Sequence, residues 1–223
     1  MANITRVYGS AGDESANAVA IDDTFVYATG IRTISGTNQH TLIFKLNRAD
    51  LSSSQIKDLY VSGAENYHKI LLDGDFVWVV YCFNSGLNQG LAVIKLNLSD
   101  LSLVANAQYK ITPSSNYVIP YGGVCQDSNN IYVTGVAPTN PDTGFLAKIN
   151  KTTFATTGIA FTQSNPINSF LFYGMGQDNN NLYLCGFRPT GYGGNDLILC
   201  KILKSDLSWV DGVAYGGAGV DRA

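Results

Sequence analysis

The chain has 223 residues and a mass of 24.0 kDa, with 45% hydrophobic, 11% aromatic and only 14% charged residues, a composition that excludes a disordered chain. Fourteen Lys and Arg against 17 Asp and Glu give a net charge of −3 and a pI of about 5.2, which speaks against a partner made of phosphate backbone. No apolar run approaches the roughly 20 residues of a membrane helix, and Met1-Ala-Asn-Ile-Thr-Arg-Val-Tyr8 lacks the basic-then-apolar build of a signal peptide, so neither membrane insertion nor a leader is read here.

In chain order, the first segment is Arg6-Val-Tyr8, followed by Gly-Ser-Ala-Gly-Asp13. Ala18-Val-Ala-Ile-Asp22 comes next, then Phe25-Val-Tyr-Ala-Thr-Gly30, then Leu42-Ile-Phe-Lys45-Leu-Asn47, the turn Ala49-Asp-Leu-Ser52, and a segment carrying Tyr60. The same series returns as Ile70-Leu-Leu-Asp73, Phe76-Val-Trp-Val-Val-Tyr81, Ala92-Val-Ile-Lys95-Leu-Asn97, Ser99-Asp-Leu-Ser102 and Tyr109. A third copy runs through Gly123-Val-Cys-Gln-Asp127, Ile131-Tyr-Val-Thr-Gly135, Leu146-Ala-Lys148-Ile-Asn150, Thr152-Thr-Phe154 and Phe161. The fourth runs through Gly174-Met-Gly-Gln-Asp178, Leu182-Tyr-Leu-Cys-Gly186, Ile198-Leu-Cys-Lys201, Ser205-Asp-Leu-Ser208 and Tyr215.

The second segments start 51, 55 and 51 residues apart, and the lysines lie 50, 53 and 53 apart. Each segment is short, rich in β-branched and aromatic residues, and bounded by Gly, Asn, Asp, Ser or Pro, so each reads as a strand. Four strands per unit of about 50 residues predict an all-β fold, a β-propeller of four repeats, each a four-stranded antiparallel blade. Strands are lettered a to d outward from the axis. The blades span approximately 13–62, 63–112, 113–164 and 165–217 of one propeller domain, and residues 5–10 and 212–217 are equivalent outer strands. Val213-Ala-Tyr-Gly-Gly-Ala-Gly-Val220 repeats the opening segment, so one outer strand is surplus. That surplus predicts a segment of a longer array or a homo-oligomer built by sharing an outer strand.

Tyr8-Gly-Ser-Ala-Gly-Asp-Glu-Ser-Ala-Asn-Ala-Val-Ala-Ile-Asp22, then Val26-Tyr-Ala-Thr-Gly30 and Ile43-Phe-Lys-Leu-Asn47, resembles the bacterial and archaeal β-propeller repeat family called SBBP. The likeness extends over all four copies. Copy two departs from it, with Val80-Tyr81 where Thr-Gly belongs, and copies two to four lose the Gly-Asp-Asp element. The resemblance implies a propeller of secreted or surface proteins with a binding or scaffolding role and no assigned catalytic residues.

Asp22, Asp73, Asp127 and Asp178 share one repeat position, which suits either a carboxylate ring for a cation or an Asx turn closing strand a; the turn is the reading preferred here. Calcium-loop spacing is absent. The recurring lysines are read as outward residues lying over apolar neighbours. Cys82, Cys125, Cys185 and Cys200 form no metal motif, and if the segments 181–185 and 196–200 pair as a hairpin, Cys185 and Cys200 are either a cross-strand disulfide or two buried thiols. His40 and His68 have no nucleophile motif beside them, so no catalytic residue, metal or cofactor is assigned. The d–a and b–c loops share one face and carry aromatics, and Tyr67, His68, Tyr117, Tyr121, Phe170 and Tyr192 are the expected ligand-binding residues, for a protein or a glycan. The leading expectation is a non-catalytic interaction or scaffolding propeller, extracellular or at the cell surface; the alternative is a lectin or glycan-processing enzyme using the same face.

Overall fold

A computed structural model describes residues 8, 13–35, 38–60, 67–85, 88–109, 120, 122–137, 143–161, 170–189 and 195–216. All sixteen elements formed by these residues are strands. The first sheet holds β1 (Asp13–Ile21), β2 (Phe25–Ser35), β3 (Asn38–Asn47) and β4 (Ser53–Tyr60); the second holds β5 (Lys69–Asp73), β6 (Phe76–Ser85), β7 (Asn88–Asn97) and β8 (Leu103–Tyr109). The third holds β9 (Val124–Gln126), β10 (Asn130–Ala137), β11 (Thr143–Asn150) and β12 (Thr156–Phe161), and the fourth β13 (Leu171–Gln177), β14 (Asn181–Pro189), β15 (Asn195–Leu203) and β16 (Trp209–Tyr215). In every sheet the strands are adjacent in chain order and antiparallel, and the four motif segments at 25–30, 76–81, 131–135 and 182–186 lie in central strands, as the repeats predict. Contacts divide the chain into two compact units, 1–110 and 111–223, each with two of the sheets.

The Tyr-x-Thr-Gly motif has a physical reason at each position. Tyr27 and Tyr132 pair with Lys45 and Lys148 on the next strand and point to one face of their sheets. On that same face the buried hydroxyls of Thr29 and Thr134 donate to the carbonyls of Leu42, at 3.1 Å, and Phe145, at 2.7 Å. Gly30 sits where β1 bulges between Ala16 and Ala18, and Gly186 where β13 bulges between Phe172 and Gly174. A Cβ at either glycine would fall 1.8 Å from a backbone oxygen, of Ser15 or Leu171, so only glycine allows the bulged strand to approach.

The turn after the third strand is equally regular. The amide of Leu51 donates to the Asn47 carbonyl, and Leu101, Phe154 and Leu207 do the same with Asn97, Asn150 and Leu203. All four turn residues adopt positive φ, between 53° and 62°, where a side chain costs about 1–2 kcal/mol. Leu101 and Leu207 are nonetheless buried, and the apolar area they remove from water offsets the strain.

We call the lysine-bearing face of each blade its leading face and the other its trailing face. In the first unit Tyr27 and Ile43 of a leading face pack on Val77, Val79, Ile94 and Leu96 of a trailing face. In the second unit Tyr132 and Leu146 pack likewise on Leu182, Leu184, Ile198 and Ile202. The lysines serve this packing rather than pointing simply outward: buried Lys45 donates to the carbonyls of Leu98 and Ser99, both at 2.8 Å, in the next blade's turn. Lys148 donates to the carbonyls of Lys204, at 2.7 Å, and Ser205, at 2.9 Å, which hold the same turn positions. Lys95 and Lys201 lie over rings of their own blades, at 3.8 Å from Phe76 and 5.9 Å from Tyr183.

The disulfide alternative is corrected by register. Cys185 pairs with Leu199, and Cys200 with Leu184, so the two cysteines are one step out of register and lie on opposite faces of the sheet. All four cysteines are free thiols. Burial pushes the Cys200 thiol up to about 12.

Candidate functional site

The carboxylate row is built into the turns. Asp22 Oδ1 accepts from the amides of Thr24 and Phe25, Asp127 Oδ1 from those of Asn129 and Asn130, and Asp178 Oδ1 from those of Asn180 and Asn181. In each case the other oxygen accepts from a tyrosine five residues on: Tyr27 at 3.1 Å, Tyr132 at 2.7 Å and Tyr183 at 2.8 Å. Burial alone would raise the pKa of Asp22 and Asp127, but the amide and phenol donors outweigh it and hold both below the usual carboxylate range. Tyr27 and Tyr132 are pushed up in turn, first by burial and then by the carboxylate. In copy two Trp78 stands at the tyrosine position.

The turn carbonyls are also engaged. Arg48 Nη1 donates to the Asp22 carbonyl at 3.3 Å, and Lys151 and Lys204 donate to the carbonyls of Asp127 and Asp178, both at 2.6 Å. These cations escape a sequence reading because their partners are main-chain oxygens; their shared position just after Asn47, Asn150 and Leu203 is the signal that could have found them. A crevice of about 320 Å³ opens in the first unit, lined by Asp22, Phe25, Tyr27, Lys45, Asp75 and Asn97 among others. Its two best-placed charges, Asp22 and Lys45, are thus already held by protein donors and acceptors. Among the described residues no cluster of three or more His, Cys, Asp or Glu stands ready for a metal.

Of the expected ligand-binding residues, Tyr117, Tyr121 and Tyr192 lie outside the described residues. Tyr67 is half-buried just before β5. His68 is only 1% exposed, with Nδ1 3.2 Å from the Thr29 hydroxyl and its ring edge-on to Tyr81 at 5.4 Å. Because that hydroxyl donates to Leu42, it accepts from His68, which fixes the proton on Nδ1. Burial lowers the His68 pKa to about 4, against a smaller opposing effect of the Gly30 backbone. Phe170 is also buried, stacked between Phe172 at 6.3 Å and Trp209 at 6.0 Å. So His68 and Phe170 are packed into the interior of their units.

Two loop-end features went unread in the sequence. On the first blade Arg32 lies 3.8 Å from Glu14 and 3.3 Å from Asp58, which also meets His40 Nδ1. These side chains are partly exposed, so the pairs add little stability. On the fourth blade a notch of about 140 Å³ is lined by Phe170, Arg188, Trp209 and Val213, with Arg188 paired to Asp196 at 3.0 Å. Trp209 is 46% exposed there. Its ring lies along Gly212, where a Cβ would come within 2.3 Å, so the glycine makes the ring's position.

No family model matches the sequence. No curated protein matches it either. Among solved structures, a quinohemoprotein alcohol dehydrogenase, ADHIIG of Pseudomonas putida HK5, is similar over 96% of this chain and 36% of its own, with a TM-score of 0.68 and 9% identity. A subtype N10 neuraminidase-like protein of A/little yellow-shouldered bat/Guatemala/060/2010 is similar over 91% of this chain and 58% of its own, with a TM-score of 0.56 and 12% identity. The endo-arabinase of Bacteroides thetaiotaomicron VPI-5482 is similar over 93% and 82%, with a TM-score of 0.51 and 13% identity. This chain spans little more than a third of the first and under three fifths of the second. At such identity the likeness defines the fold: four antiparallel four-stranded blades of the β-propeller class.

Proposed function

We propose that the chain is a non-catalytic interaction or scaffolding propeller, of the SBBP type and extracellular or surface-borne, that binds a protein partner through the face made by its d–a and b–c loops. The observation that carries this reading is the commitment of recurring polar side chains to the fold: Asp22, Asp127 and Asp178 cap turns, and Lys45 and Lys148 join blades. Repeat chemistry of that kind builds a scaffold, and the residues that differ between copies are left to recognise a partner. Few Lys and Glu beside abundant Asn, Ser, Thr, Gly and Tyr suit an exterior location. The test is a turnover screen over glycan substrates run beside a glycan array on the intact chain. Neither turnover nor glycan binding is expected, and hydrolysis of any glycan overturns the reading.

A second reading, glycan binding or processing, is favoured by the half-exposed Trp209 beside Arg188, because a ring face next to a polar donor suits a sugar. Signal on the array that disappears in Trp209→Ala would establish it.

A further inference from the structure

We propose that the leading face of the fourth blade docks on the trailing face of the first blade of a second copy, so that two copies close head to tail. The chain already contains this contact twice, once in each unit, and its repeat positions show what each terminal face lacks. Ile43 and Leu146, two residues before their lysines on leading faces, are both 0% exposed; Leu199, at the same position of the fourth blade, is 42% exposed. On the trailing side Ile70 lies three residues before Asp73 and is 6% exposed, whereas Val19, three before Asp22, is 60% exposed. Ile21 and Val213 add exposed apolar area to the same two faces.

The polar groups match as well. Lys45 and Lys148 each close on the first two carbonyls of the following blade's turn. Lys201 has its own Tyr183 ring but no carbonyl partner among the described residues, and the corresponding carbonyls of Arg48 and Ala49 receive no lysine there. Lys201 of one copy therefore fits the Arg48 and Ala49 carbonyls of the other, under an apolar contact of Leu199 with Val19. Among the described residues, an apolar blade face that carries Lys45 or Lys148 meets one kind of complement, the trailing face and turn carbonyls of the next blade. Tyr8 covers only the outer part of the trailing face, its ring 5.7 Å from Phe44 and its hydroxyl donating to the Leu51 carbonyl. Closure of both contacts in one pair leaves neither face open, whereas a single repeated contact would propagate.

Sedimentation equilibrium of the intact chain over a wide concentration range is the test, with far-UV circular dichroism to verify folding. The native chain is expected at twice the 24.0 kDa chain mass. Leu199→Asp and Val19→Asp, both at exposed positions, should each be monomeric, and mixing them should restore association through the one undamaged contact. Lys201→Met should raise the dissociation constant by about tenfold, since it removes charged donors but keeps the stem. A native monomer at every concentration, a single variant that stays dimeric, or a mixture that does not associate would overturn the proposal. Loss of the dimer on removing residues 1–10, with Lys201→Met silent, would overturn it in favour of outer-strand exchange. If Leu199→Asp misfolds, Val213→Asp replaces it on the same face.

Discussion

The phenol of Tyr132 donates to Asp127 Oδ2 at 2.7 Å, tying the turn that ends one strand to the middle of the next. Asp127 also receives two amides, so one carboxylate closes the hairpin and anchors a tyrosine whose ring is buried. Removing the carboxylate strands a buried hydroxyl, whereas removing the hydroxyl leaves a carboxylate that still has amide donors.

The costs should therefore be unequal. Tyr132→Phe is expected to lose about 1 kcal/mol, and Asp127→Ala about 2–3 kcal/mol, because the second leaves several donors unsatisfied. In urea unfolding the double variant should be less destabilised than the sum of the two, since both remove the same bond. Additive losses would show that the pair is not coupled.

His68 sets a pH dependence above the carboxylate range. Its folded pKa of about 4 lies below the ordinary imidazole value of 6.5, so the unfolded chain takes up the proton first as pH falls. Stability from this group is complete above about pH 6.5 and is lost on the way down to pH 4, by about 3 kcal/mol in all. Unfolding free energies measured between pH 7 and 4.5 should decline in the native chain, and the decline should be shallower in His68→Gln. An unchanged slope in the variant would assign the decline to other groups.

Phe170 bears on where binding occurs. Its buried ring lies between Phe172 and Trp209, so Phe170→Ala should cost about 3–4 kcal/mol and lower the melting temperature. Any alanine replacement that includes Phe170 as a test of ligand binding would confound ligand loss with that destabilisation. A Phe170→Ala chain as stable as the native one would show that the ring is not part of the packing.

The strands were legible because each repeats a local pattern of β-branched residues between turn formers, and the Asp turns because an Asx turn lies within four residues. The role of Lys45 was not, since its acceptors are carbonyls 53 and 54 residues away that no side chain marks. His68 resisted for a related reason: its enclosure comes from Thr29 and Tyr81, on two other strands, while its own neighbours read as loop. The cysteine pair turned on register, where a shift of one residue moves a side chain through the sheet.

Leu101 gives a test of the turn itself. It combines a φ of 53° with 1% exposure, so two effects of opposite sign meet at one residue. Leu101→Ala removes most of the buried side chain but keeps the Cβ that makes positive φ costly. Leu101→Gly removes the same packing and the strain as well, a relief of about 1–2 kcal/mol set against roughly 0.5–1 kcal/mol of extra freedom in the unfolded chain. The glycine variant should thus be the more stable of the two by about 0.5–1 kcal/mol, although both fall below the native chain. At Val93, buried in the middle of β7, the order should reverse, because a strand position gives glycine no strain to relieve. Urea midpoints for the four variants decide the matter: alanine above glycine at position 101 would mean that the backbone there is not strained and that burial alone accounts for Leu101.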